Sequence, residues 1–268
     1  MNYKLKLLLL RTAPRFLRRH VMIKRYDHEV AERGEAELLE LRKFIRPGSV
    51  AIDVGCNLGS YTYEMSRLGA RVHAFEPNPA LANFVASLAL PNVEVRQAAA
   101  AAENGIAELN IPLEHAGSHG RASLKLDSNP GKVEKVSVPT CRIDDLALGK
   151  IDFIKIDVEG FEEEVLRGGA ETISRDKPVL LIEIEERHNA GAVARISDSL
   201  NKLKYQGWYV RQGNWRQLDP KEISSLQDFE RVATDEEHIA SRREMDYINN
   251  FFFLPPEISM TESSNGLS

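Results

Sequence analysis

Val50-Ala51-Ile52-Asp53-Val54-Gly55-Cys56-Asn57-Leu58-Gly59-Ser60 is the stretch on which the fold turns. Val50 to Val54 are apolar and mostly β-branched, as a buried strand requires, except for one acid at Asp53. A charge in a run that otherwise wants to be buried needs a partner or a ligand. Gly55 and Gly59 allow a sharp turn and close approach of the backbone to another group. A helix is expected from about Ser60 to Leu68, with its free N–H groups facing back onto the turn. Strand, glycine turn and helix together suit a nucleoside-type cofactor with an anionic end.

The chain has 268 residues, 43% hydrophobic and 28% charged, enough for one large α/β domain with modest additions. A net charge of −5 gives no global field to attract nucleic-acid phosphates. Cys56 and Cys141 form neither a zinc spacing nor a disulfide framework, so a reducing, cytoplasmic setting is expected. No stretch approaches the ~18–20 apolar residues of a membrane span. The N-terminus is nevertheless unusual: Met1 to Tyr26 carry eight Lys or Arg and no acid. Two readings are open for it. Either a basic helix packs its Leu, Phe and Val face on the domain, or residues 1–26 attach peripherally to an anionic surface, such as the inner face of a membrane, or to a partner.

Residues 27–46 have a helical apolar stripe, and Arg46-Pro47-Gly48 ends it. Arg71 to Glu76 read as a second strand, stopped by Pro77 and Pro79; a helix over 80–90 and a third strand over Asn92–Arg96 follow. From 98 to 140 the rhythm breaks into three short alternating pieces, Ala107–Ile111, Ala122–Leu126 and Val133–Val138. Between them, 114–120 and 127–132 are rich in loop-forming residues, and loops of this kind carry substrate contacts or act as lids. The rhythm returns with a strand over Asp152–Asp157, a helix over 161–174, a strand over Val179–Glu183, a helix over 192–206, and strands over Trp208–Arg211 and Tyr247–Leu254. The expected organisation is an N-terminal basic and helical extension (1–46), a main domain (47–254) with a β-rich insertion (98–140), and a disordered tail (255–268). Alternating strands and helices give a doubly wound, mostly parallel sheet that binds ligands beyond the carboxyl ends of its strands.

A nicotinamide or flavin site would ask for G-x-G-x-x-G after the first strand; only Gly55 and Gly59 are present. No Lys-Ser/Thr follows, so this is not a phosphate loop. D-x-G-x-x-x-G with a second-strand acid 23 residues after Asp53 suits S-adenosylmethionine. Glu76 is placed to accept both ribose hydroxyls. The glycine turn and Asn57 suit the methionine carboxylate, and Asp53 the amino group and sulfonium.

Asp53 to Thr62, Phe75-Glu76-Pro77-Asn78-Pro79, Cys141 to Leu146, and Ile154-Lys155-Ile156-Asp157-Val158-Glu159-Gly160-Phe161-Glu162 with Val165-Leu166-Arg167-Gly168 resemble the FkbM-type methyltransferases. The likeness runs over about residues 48–185, and the Lys155–Glu162 run is its most specific part. Cys56 and Cys141-Arg142 depart from the commoner family pattern. The resemblance implies a Rossmann-like class I methyltransferase fold with a seven-stranded sheet and helices on both faces. It implies S-adenosylmethionine as cofactor, held by Asp53, Gly55, Asn57, Gly59, Tyr61, Glu76 and Asn78. It also implies methylation of hydroxyls on sugars, glycolipids or polyketide-type natural products, so the expected partner is a small-molecule or glycan-type acceptor and not a nucleic acid.

A hydroxyl acceptor must lose a proton, which calls for a base or a metal. Asp157, Glu159 and His188 are the candidate catalytic residues. Metal is not expected; were an ion held, Asp157, Glu159 and Glu183 would be its ligands. His115, His119, Ser123 and Lys125 on the insertion are placed to meet a substrate. The alternatives are a non-catalytic cofactor-binding or membrane-recruited scaffold, and a nucleotide-cofactor oxidoreductase, which the missing third glycine disfavours.

Overall fold

The structure is a computed structural model and describes residues 14–33, 35–112, 124, 133–228 and 247–260. The expected strand over Ala122–Leu126 and its flanking loops, with His115, His119, Ser123 and Lys125, lie outside the described residues, Leu124 excepted.

Two helices, α1 (Arg15–His28) and α2 (Ala36–Phe44), precede the sheet. They are followed by β1 (Val50–Val54), α3 (Ser60–Arg67), β2 (Arg71–Phe75), α4 (Pro79–Ser87) and β3 (Val93–Arg96). The insertion supplies β4 (Ala99–Ala100), β5 (Gly105–Pro112) and β6 (Val133–Cys141). Then come β7 (Phe153–Ile156), α5 (Glu162–Gly168), α6 (Ala170–Asp176), β8 (Val179–Glu183), α7 (Ala192–Asn201), β9 (Gln206–Arg211), β10 (Asn214–Gln217) and β11 (Asn250–Leu254). The principal sheet runs β10-β9-β11-β8-β7-β1-β2-β3; a second sheet runs β4-β6-β5. β3, β2, β1, β7 and β8 are mutually parallel, while β11 and β10 enter antiparallel. Strand order therefore reverses between β1 and β7, which opens a crevice at their carboxyl ends.

The fold is the Rossmann-like class I methyltransferase fold, but among the described residues its sheet has eight strands, not seven. The eighth, β10, pairs back on β9 through the two-residue turn Gln212-Gly213, with φ of 50° and 75°. Two central residues at positive φ match the twist of a tight hairpin. The single helix expected over 27–46 is two helices joined by a π-helical turn, Glu29–Arg33, beside the helix-weakening Gly34. The Phe16, Leu17 and Val21 face of α1 does not pack on the domain; Met22 and Tyr26 do. Residues 255–260, expected in a disordered tail, lie against the sheet, where Met260 is buried and Ile258 packs beside it.

Strand alternation sorts the core into two layers. Ile52, Val54, Ile154, Ile156, Leu180 and Ile182 face α5, α6 and α7. Ala51, Phe153, Leu181 and Phe252 face α2 and α3. By the same period, Asp53, Lys155 and Glu183 share the second face, so three ionisable groups continue an apolar layer towards the crevice.

One close contact ties the insertion to this core. A Cβ on Gly168, at the end of α5, would lie 1.9 Å from the Ala101 carbonyl oxygen. Helix propensity alone favours Gly168→Ala by about 1 kcal/mol. The clash is with backbone, which cannot swing aside, so it outweighs that gain. Gly168→Ala is expected to cost about 1–3 kcal/mol net, seen as a lower urea midpoint; a raised midpoint would contradict this packing.

Candidate active site

The crevice between β1 and β7 holds an open cleft. Gly55, Asn57 and Glu76 lie on one side, Asp157, Val158, Glu159 and Phe161 on another. Pro77, Leu81, Ala98–Ala100, Leu109 and Leu124 supply an apolar wall, partly from the insertion.

Glu76 is buried where β2 ends. Its two carboxylate oxygens accept the backbone N–H groups of Asn57 at 2.8 Å and Asn78 at 2.9 Å. Each oxygen keeps a second lone pair, so the carboxylate is aimed and still able to accept two hydroxyls. Burial pushes its pKa up to about 7, against the pull of those two N–H groups. Asn57 holds this geometry with φ of 51°, the left-handed region that Asn tolerates.

Gly55 lines the cleft, but a structural reason fixes it: a Cβ there would stand 1.8 Å from the Asp157 carbonyl oxygen. The turn and β7 touch backbone to backbone, which places Asp157 beside the cofactor turn. Gly59 caps α3 at φ of 88° and packs against Val85. Asp53 does not line the cleft. It is buried on the α3 face and accepts from the Thr62 hydroxyl at 2.5 Å, with its pKa raised by burial to about 6. Asn78 caps α4 by accepting from Ala80 N–H, while its buried side-chain Nδ2 has no protein partner. Tyr61 also stands away from the cleft; its hydroxyl donates to Glu35 at 2.6 Å.

The acceptor side carries the more unusual electrostatics. Lys155 is only 1% exposed. Its ammonium lies 3.8 Å from Asp157, 3.9 Å from Glu183 and 5.0 Å from the centre of the Tyr61 ring. Burial opposes its charge, but Asp157, Glu183, Glu35 and Asp53 together hold its pKa above the ordinary lysine value. Burial pushes Asp157 above the usual carboxylate range, and Lys155 pulls it back. Glu183 is pushed further, by burial and then by Asp157.

Glu159 has φ of 51° and turns to His188, with 2.7 Å between Oε2 and Nε2. That contact raises the His188 pKa despite partial burial. His188 packs under Gly160 and is not among the cleft-lining residues. The three carboxylates named as ligands were a metal held are not brought together: Glu159 faces His188, and the Lys155 ammonium stands beside both Asp157 and Glu183. Among the described residues no group of three His, Cys, Asp or Glu side chains is arranged to hold a metal ion.

The residues fit S-adenosylmethionine. An aimed carboxylate with two spare acceptor sites meets a ribose, the apolar wall meets a purine, and the glycine turn with its α3 N-terminus meets a carboxylate. Fold and site define a class I, S-adenosylmethionine-dependent methyltransferase. The chain belongs to the FkbM methyltransferase family, whose domain model, "Methyltransferase FkbM domain", matches residues 53–217. A curated relative, 2-O-methyltransferase NoeI of Sinorhizobium fredii (strain NBRC 101917 / NGR234), is 28% identical over 154 residues, which is 49% of this chain and 62% of that protein. Among solved structures, methyltransferase FkbM from Methylobacillus flagellatus KT is 16% identical at a TM-score of 0.46, covering 77% of this chain and 43% of that one. Magnesium protoporphyrin IX methyltransferase from Synechocystis PCC 6803, solved with bound S-adenosylmethionine, is 15% identical at a TM-score of 0.38, covering 72% and 76%.

Ribose hydroxyls held by Glu76 would donate to its ionised form better than to its protonated form, so donor binding there would release a proton. S-adenosylmethionine should bind more tightly as pH rises from 6 towards 8, by up to about tenfold per unit below the Glu76 pKa. Glu76→Gln should bind more weakly and flatten that slope in calorimetry. An unchanged slope in the variant would remove Glu76 from the ribose site.

Proposed function

We propose that this methyltransferase acts on a hydroxyl oxygen of a sugar, glycolipid or natural-product acceptor, with Asp157 as the general base. The observation that carries this reading is the position and charge environment of Asp157. Its side chain is 33% exposed, on the cleft wall, at the carboxyl end of β7, beside a buried ammonium. A carboxylate raised by burial has a basicity closer to neutral pH, where a general base works best. The 2-O-methyltransferase relative supports oxygen as the acceptor atom.

Bound S-adenosylmethionine would supply a methyl group activated on a sulfonium, with the neutral thioether as leaving group. Asp157 takes the acceptor O–H proton as that oxygen gains its carbon. Glu183, held through the same ammonium, accommodates the change in charge on Asp157. Glu159 lines the same wall, with its carboxylate held by His188. We assign the cofactor contacts within the cleft to Gly55, Asn57 and Glu76. Asp53, Gly59, Tyr61 and Asn78 support them from behind: Asp53 through Thr62, Gly59 as the cap of α3, Asn78 as an N–H donor to Glu76, and Tyr61 under Lys155.

With methyl-labelled donor and glycan, lipid and small-metabolite fractions of a cell extract, label is expected on a glycan-bearing or hydroxylated fraction. Asp157→Asn should keep donor affinity within about threefold and lose roughly 100-fold or more of the transfer. Full transfer by the variant would refute the base assignment, and label confined to amines would refute oxygen as the acceptor.

A further inference from the structure

We infer that the outward face of α1 docks on an anionic lipid surface. Four large hydrophobic side chains are exposed among the described residues, and three of them, Phe16 at 76%, Leu17 at 44% and Val21 at 41%, lie on this one helix. Their spacing, with His20 and Lys24, puts Phe16, Leu17, His20, Val21 and Lys24 on one stripe, opposite the buried Met22 and Tyr26. A single exposed apolar residue is ordinary, but a stripe of them on one helix face marks an interaction surface.

The helix is firmly mounted, so the stripe is presented and not a frayed end. Tyr26 donates its hydroxyl to the Leu58 carbonyl and its ring stacks on Tyr63 with centroids 4.9 Å apart. Arg15 and Arg18 hydrogen-bond Ser87 at the end of α4, and Tyr63 donates to Asp27. The stripe is left facing out.

Charge selects the occupant. The chain as a whole carries −5, yet α1 holds five Lys or Arg against one acid, Asp27, which sits near its C-terminal end and accepts from Tyr63. Arg19 and Lys24 are exposed beside the apolar side chains. Phosphates of a nucleic acid would satisfy the cations and leave Phe16 in water. A second copy of the chain would set two basic faces against each other. An anionic membrane surface takes both, the cations at the headgroups and the apolar stripe at the acyl boundary. No helix among the described residues is long and apolar enough to cross a membrane, so the contact is peripheral.

Sedimentation of the full chain with vesicles of phosphatidylcholine, alone or mixed with phosphatidylglycerol, tests this. Binding is expected to the anionic vesicles only and to weaken with salt. Phe16→Ser/Leu17→Ser/Val21→Ser should lower it at least tenfold, and Arg19→Glu/Lys24→Glu by roughly fivefold per position. Both variants should keep the wild-type thermal midpoint and donor affinity. If the triple variant fails to fold, the charge variant alone decides. The inference is overturned by absent wild-type binding, by equal binding to neutral vesicles, by variants that bind as wild type does, or by a wild-type dimer in ultracentrifugation that the triple variant dissociates.

Discussion

A lysine ammonium with 1% exposure is the constraint around which the β7–β8 side of the cleft is arranged. An isolated charge at that depth would cost several kcal/mol and would be neutralised. Lys155 stays charged because β7 delivers it between Asp157 and Glu183, with the Tyr61 ring closing its other side. Tyr61 is in turn held by Glu35, from the segment that precedes α2. The cluster thus draws on β7, β8, α3 and the N-terminal extension. Removing one partner would strand the others, a loss of about 3–5 kcal/mol in comparable buried pairs. The same arrangement sets the ionisation of Asp157, so the stability of this layer and the chemistry proposed for it are one electrostatic problem.

The glycine-turn side of the cleft answers to backbone geometry more than to charge. Gly55 is required because β7 comes within contact of the turn, and Asn57 at positive φ points its N–H at Glu76. The turn and the acceptor wall are therefore joined at Asp157, whose carbonyl touches one and whose carboxylate faces the other. α1 adds a third connection. Its Tyr26 rests on Leu58 of the turn, and the proposed lipid-facing stripe lies on the opposite side of that helix. A surface that orients α1 also orients the cleft.

Much of this was legible in the sequence. The strand, glycine turn and second-strand acid located one wall of the cleft, and the Lys155–Glu162 run located the facing wall. Both signals are local and follow from the period of a strand and the residues a turn demands. What was not legible depends on distant partners. Asp53 reads as a cofactor ligand until Thr62 is seen to occupy it. Tyr61 reads as part of the donor site until Glu35 and Lys155 are seen beside it. His188 sits among polar neighbours in sequence, and only the fold pairs it with Glu159. The face of α1 that packs is chosen by the surface it meets, which the helix's own sequence does not encode. The hairpin to β10 was readable in Gln212-Gly213, a turn signal with too little flanking alternation to stand out.

The most direct test of the account is a single-turnover pH–rate profile of Lys155→Met against wild type, with donor saturating and an acceptor fraction that takes label. Lys155 lowers the Asp157 pKa, so its removal should raise that pKa and move the acid limb of the profile to higher pH. A folded variant with the acid limb unmoved would contradict the claim that the buried ammonium sets the ionisation of Asp157.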